Sequence, residues 1–272
     1  MVRQIDIEIF DYSERLGLSD VERTIKSAAN CFPNLSSEID KLSIFVFNSE
    51  QIEEGTDIEK ISYHTGPLPM GERLRWNLMY SLRYKKNAGW IEVNIEKFMN
   101  SSDTERKFIA RHELGHIFLC GPVPPVPQVM LKKHKWILGY WKEFKVNSLM
   151  MGLFPELTIQ YMHENPQGFS KLKNGNDLNR YQASDERILV VVKKCASLQM
   201  ELTVLKKAPS PLKKKAWKTI EKLHLERMEF IKRQASQIRP QLKDICIWFT
   251  EECLENPELL VRRILELSFL NL

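Results

Sequence analysis

Two apolar rhythms run through the first half of this chain. Leu42-Ser43-Ile44-Phe45-Val46-Phe47 is an apolar run interrupted by one serine and predicts a buried strand. Gly89-Trp90-Ile91-Glu92-Val93-Asn94-Ile95 instead alternates apolar and polar positions after a glycine break, which is the period of a half-buried strand. Elsewhere the period lengthens to that of a helix. Ser19 to Cys31 reads as an amphipathic helix with Ser19 as its cap, and Phe108, Ile109, Leu114, Ile117 and Phe118 recur at helical spacing. Ser101-Ser102 ahead of Asp103 and Glu105 supplies this second helix with an N-cap and an acidic first turn that suits its dipole. The front of the protein is therefore mixed α and β.

Beyond residue 120 the pattern turns helical. Residues 121–127, Gly-Pro-Val-Pro-Pro-Val-Pro, cannot continue a helix, so they either stop the preceding one or form a stiff connector along a cleft. Leu149 to Leu157 is an apolar segment in which Glu156 is the lone carboxylate. Ser184 caps a helical pattern that runs through Val192, Ala196, Leu198 and Leu202. After Ala208-Pro209-Ser210-Pro211 the character changes, and 212–272 reads as two or three helices. The expected organisation is an α+β domain over 1–205 and a basic helical region over 212–272, without internal repeats.

Composition narrows the class. With 43% hydrophobic residues and only 11 glycines in 272, the chain has the make-up of a helix-rich globular protein. No run approaches the roughly 20 apolar residues of a membrane span, and Met1-Val2-Arg3-Gln4-Ile5-Asp6 lacks a signal peptide's apolar stretch, so a cytoplasmic protein without a membrane partner is expected. Five cysteines without a Cys-x-x-Cys pair fit reduced thiols, with Cys246 and Cys253 on one helix face as core residues. Charge is segregated. Residues 1–60 hold thirteen acids against six bases, whereas 206–243 hold twelve Lys or Arg against three Glu. That basic stretch is either a solvated face or a footprint for nucleic acid or an acidic partner, and with Trp217 as its main aromatic it does not favour stacking on single strands.

The candidate chemistry lies on the second helix. His112-Glu113-Leu114-Gly115-His116 places two imidazoles one turn apart on one face, where their neutral nitrogens can hold Zn2+. A catalytic zinc keeps one position open for water, and Glu113 beside the first ligand is placed as the general base. The polar-apolar strand at 89–95 runs close to this helix, either as an edge strand that pairs with an extended peptide or as a core strand. A zincin-like arrangement follows, a small twisted sheet packed on the helix that carries the motif.

Ile91-Glu92-Val93-Asn94, the approach Glu105-Arg106-Lys107-Phe108-Ile109-Ala110-Arg111, the motif itself and Ile117-Phe118-Leu119 together resemble the ImmA/IrrE family of zinc metallopeptidases over about 35 residues. Lys41 to Phe47 has a looser likeness to a strand of other zinc peptidases. Two positions depart from the family pattern: Arg111 stands where an alanine-like residue is usual, and Cys120 where a further histidine is often found. The resemblance implies peptide-bond hydrolysis of a regulatory protein such as a transcriptional repressor, although this chain carries no clear helix-turn-helix of its own.

A catalytic zinc needs a third protein ligand. The metzincin spacing is excluded because Leu119 and Pro122 occupy the positions that would carry Gly and His. In the resembled family the third ligand is a glutamate on a later helix, and Glu186 occupies that stretch, with Leu189 and Val190 in place of the family's small and polar residues. Glu156 is the rival, as a carboxylate in an apolar segment, unless Pro155 starts a new helix and makes it an ordinary first-turn acid. His134 and His163 are further candidates, each with charged neighbours. Cys120 follows His116 by four residues, but three ligands on consecutive turns diverge too far for tetrahedral zinc. Tyr63 and His64 are candidate oxyanion donors. Two other classes remain: a zincin-fold binding or regulatory protein without turnover, and a nucleic-acid-associated factor working through the basic helices.

Overall fold

The computed structural model describes residues 5–13, 17–32, 39–54, 78–85, 87–119, 135–165 and 200–212, with single residues 222, 225, 226, 229, 233, 256 and 259. The protein is mixed α and β and divides into two compact units, Met1–Gly121 and Pro122–Leu272. Glu186, Tyr63, His64, Cys120, His134, Cys246 and Cys253 lie outside the described residues.

The first unit is organised by a four-stranded sheet. Its strands are β1 (Asp6–Asp11), β2 (Lys41–Phe47), β3 (Met79–Lys85) and β4 (Ala88–Asn94), in the spatial order β1-β2-β4-β3. β1, β2 and β4 are mutually parallel, with Ile9, Ile44 and Ile91 in register, and β3 returns antiparallel to β4. A parallel pair needs a long crossover, and helix α1 (Leu18–Asn30) supplies the one between β1 and β2.

β2 is buried along its whole length except for Lys41, as its apolar run predicts. β4 departs from expectation: every one of its seven residues is buried, including the polar Glu92, at 2% exposure, and Asn94. The reason is topological. β4 is a core strand between β2 and β3, so neither of its faces reaches water, and the edge on that side is β3. Asn94 is polar for a local reason, since its side chain accepts a hydrogen bond from the Lys97 amide at 3.1 Å and caps the short helix α3 (Ile95–Asn100). Ile95 belongs to that helix rather than to the strand.

Pleating sorts the side chains onto two faces. On one, Phe45, Phe47 and Trp90 cluster with Ile52 of helix α2 (Ser49–Glu54), and Phe10, Tyr12 and Tyr80 pack against them. Phe10 stacks on Phe45 and Tyr12 on Phe47, with ring centroids 5.0 and 5.5 Å apart. Burial pushes the Tyr12 phenol above its ordinary pKa. The opposite face takes helix α4 (Asp103–Leu119), with α1 packed beside it. Gly89 makes this close approach possible, because a Cβ there would stand 3.0 Å from Ile117 Cγ2.

The helix ends show what sequence capping rules do and do not capture. Ser102 Oγ accepts the Glu105 amide at 3.1 Å, as expected for α4. Ser19, expected to cap α1, lies inside it. The chain enters α1 through Gly17 in the left-handed region (φ 117°), whose carbonyl accepts the amides of Asp20 and Val21. A Cβ at Gly17 would also meet Met99 Sδ at 2.7 Å, so the turn is both conformationally and sterically a glycine position.

In the second unit, helix α5 (Lys135–Leu153) is followed by α6 (Pro155–Glu164). Pro155 stands at the start of α6, where its missing amide hydrogen costs nothing. Phe144, Met151, Ile159 and Met162 form the core of this unit with Met200, Val204 and Leu205. Among the described residues, no helix is long and apolar enough to cross a membrane.

Candidate metal centre

The motif lies on one continuous helix, as its spacing predicts. On α4, His112 is nearly buried at 9% exposure and His116, one turn later, is half-buried. Their Nε2 atoms are 3.1 Å apart, with ring centroids at 4.7 Å and planes at 83°. Two nitrogens at about 2.05 Å from one tetrahedral ion stand roughly 3.3 Å from each other, so the pair already has nearly the separation that shared zinc ligation requires. Without an ion the same contact is a sound N–H···N hydrogen bond between one ring protonated at Nε2 and one not; a divalent cation takes the place of that proton. Phe108, one turn earlier, stacks on His112 with centroids 5.8 Å apart and limits rotation of the ring.

Glu113 is held from the sheet. Ser81 on β3 brings its hydroxyl to 2.7 Å from Glu113 Oε2 and 2.9 Å from the Glu113 carbonyl oxygen. Ser81 is 6% exposed, on the sheet face that α4 covers. Sequence analysis did not single out β3 or Ser81. A serine in Met79-Tyr80-Ser81-Leu82-Arg83-Tyr84-Lys85, a strand broken by charged residues, carries no pattern that separates it from a surface position.

Arg111 reaches sideways from α4: its guanidinium donates to Cys31 Sγ at 3.4 Å. It thus ties α4 to the end of α1. Arg106 bonds the Ser101 carbonyl through Nε at 3.1 Å and lies over the Phe98 ring, 5.2 Å from its centroid, which fastens the first turns of α4 to α3.

Glu156 is exposed in the first turn of α6, where a carboxylate suits the helix dipole. His163 is exposed in the last turn of the same helix. Within the same unit, Glu143 is half-buried on α5 beside the fully buried Phe144 and is the sole acid within Lys135–Leu153. No family model, no curated protein and no solved structure matches this chain.

Proposed function

We propose that this chain is a zinc-dependent metallopeptidase of zincin-like architecture that hydrolyses a protein substrate, with His112 and His116 as metal ligands, a later carboxylate, Glu186 or Glu156, as the third, and Glu113 as general base. The observation that carries the proposal is the imidazole pair on α4, whose 3.1 Å Nε2 separation and partial burial suit a shared divalent cation. The donor set is also right for zinc: two neutral imidazoles and one carboxylate leave a fourth position for water and substrate.

A zinc ion bound there would acidify water and polarise the scissile carbonyl. The chain's own residues do the proton work. Glu113 accepts a proton from the attacking water as the oxygen bonds to the carbonyl carbon, then passes it to the amine as the C–N bond breaks. The carboxylate ends in its starting state, so no external acid or base is consumed. The motif and its flanks resemble the ImmA/IrrE family, which supports a regulatory protein as the substrate class.

Two substitutions separate metal binding from chemistry. His116→Ala should abolish stoichiometric zinc in protein loaded with the metal, as read by elemental analysis. Glu113→Gln should keep the zinc and end hydrolysis of an internally quenched peptide pool, because the amide preserves shape but accepts no proton. Unchanged zinc in His116→Ala removes the metal centre. Full zinc occupancy in wild-type protein with no cleavage of any peptide or protein supports the reading of a zincin-fold binding protein instead.

A further inference from the structure

We infer that Ser81 is a positioning residue for Glu113, fixing the direction of the general base; this rests on the peptidase proposal above. A glutamate has three side-chain torsions, and one emerging from a helix surface would otherwise spread over many rotamers. Glu113 is not left to do so, because Ser81 Oγ lies 2.7 Å from its Oε2. The hydroxyl has one proton to give. The carboxylate is the closer of its two acceptors and the charged one, which makes it the stronger partner, while the Glu113 carbonyl at 2.9 Å keeps the same hydroxyl seated against the helix backbone.

The position of Ser81 argues against an incidental contact. Its neighbours on that face of the sheet, Met79, Ile91 and Val93, are fully buried apolar residues. A hydroxyl among them carries a desolvation cost that an alanine or valine would avoid, and only a hydrogen bond offsets it. β3 also makes substantial contact with α4, so its backbone is a rigid base from which to hold a side chain of the motif. With Oε2 pinned to the strand, the carboxylate presents its other oxygen in one direction, and the base is oriented before substrate arrives.

Cobalt(II) is the probe, because its visible d–d bands report the geometry and hydrogen bonding of a zinc site without turnover. The full chain is compared with Glu113→Gln, Ser81→Ala and the equal-volume pair Ser81→Thr and Ser81→Val. Ser81 touches neither histidine, so each Ser81 variant should bind one Co2+ with affinity changed less than about tenfold, below the usual loss for a residue that supports a ligand directly. Glu113→Gln should shift the d–d bands. Ser81→Ala and Ser81→Val should shift them in the same direction, and Ser81→Thr, which restores the hydroxyl, should return the wild-type spectrum. If Ser81→Ala fails to fold, the Thr and Val pair decides. A wild-type spectrum in the variants lacking the hydroxyl, beside a shifted Glu113→Gln spectrum, overturns the proposal and leaves Ser81 as a tie between strand and helix. An unshifted Glu113→Gln spectrum removes Glu113 as the base and Ser81 with it, and absence of Co2+ binding to the wild type refutes the metal centre itself.

Discussion

Gly89→Ala tests whether the depth at which α4 sits on the sheet is set by one missing side chain. The added Cβ would stand 3.0 Å from Ile117 Cγ2, 3.1 Å from Cδ1 and 3.4 Å from Cγ1. Carbon atoms at rest keep about 3.5–4.0 Å, so two of these contacts are short by roughly half an ångström. Ile117 is fully buried, so any shift of its side chain must be taken up by close-packed neighbours. Overpacking of this kind costs about 1–3 kcal/mol. Against it stands the gain of about 0.4–1 kcal/mol from replacing glycine where the backbone tolerates alanine, and Gly89 lies in a regular strand. The difference, about 1 kcal/mol of destabilisation, is the expected outcome.

Hydrogen exchange read at the amides of β4 and α4 is the suitable assay, since it reports the first unit alone. Ile117→Ala in the same background removes all three contacting carbons. It costs about 2–5 kcal/mol by itself, but adding Gly89→Ala to it should then be neutral or stabilising, and the double-mutant cycle should return a coupling of about 1–2 kcal/mol. Gly89→Ala that protects β4 in the wild-type background, by the amount expected of a strand glycine with space around it, would refute the close approach of helix and sheet.

The strand β2, the helix α4 and the motif were legible because each carries its own period: an apolar run, a helical recurrence of Phe108, Leu114 and Ile117, and a fixed His-x-x-x-His interval. Those signals are local, and so is the Ser102 cap. What escaped depends on pairing between distant segments. β4 looked half-buried because Glu92 and Asn94 are polar, yet its place between β2 and β3 buries both faces, and no periodicity within seven residues reports which strands will flank them. Ser81 and Glu113 are 32 positions apart, and their contact exists only once β3 has paired with β4 and α4 has docked on that face. Ser19 was preferred as a cap on residue type, whereas the chain uses a left-handed glycine two positions earlier, where Met99 also leaves little space for a Cβ.

Asn94→Ala removes the cap of α3 and should cost about 1 kcal/mol, while Asn94→Asp, which keeps the acceptor, should cost less; exchange at the amide of Lys97 reads the difference directly. The third ligand calls for a contest between Glu156→Ala and Glu186→Ala, each assayed for retained zinc after dialysis against a weak chelator. Glu156 is an exposed first-turn acid whose charge the dipole of α6 already satisfies, so its loss should leave the site filled. Glu186 stands in the first turn of the helical pattern opened by Ser184 and matches the later-helix glutamate that the resemblance implies. Its removal should therefore empty the site. A residue that only supports a ligand costs roughly 10–100-fold in affinity, so a modest loss in any variant decides nothing and near-complete loss identifies the ligand. Zinc retained at full stoichiometry in Glu186→Ala and lost in Glu156→Ala would give the third position to the acid that opens α6, and the resemblance of the later helix to the ImmA/IrrE family would then be accidental.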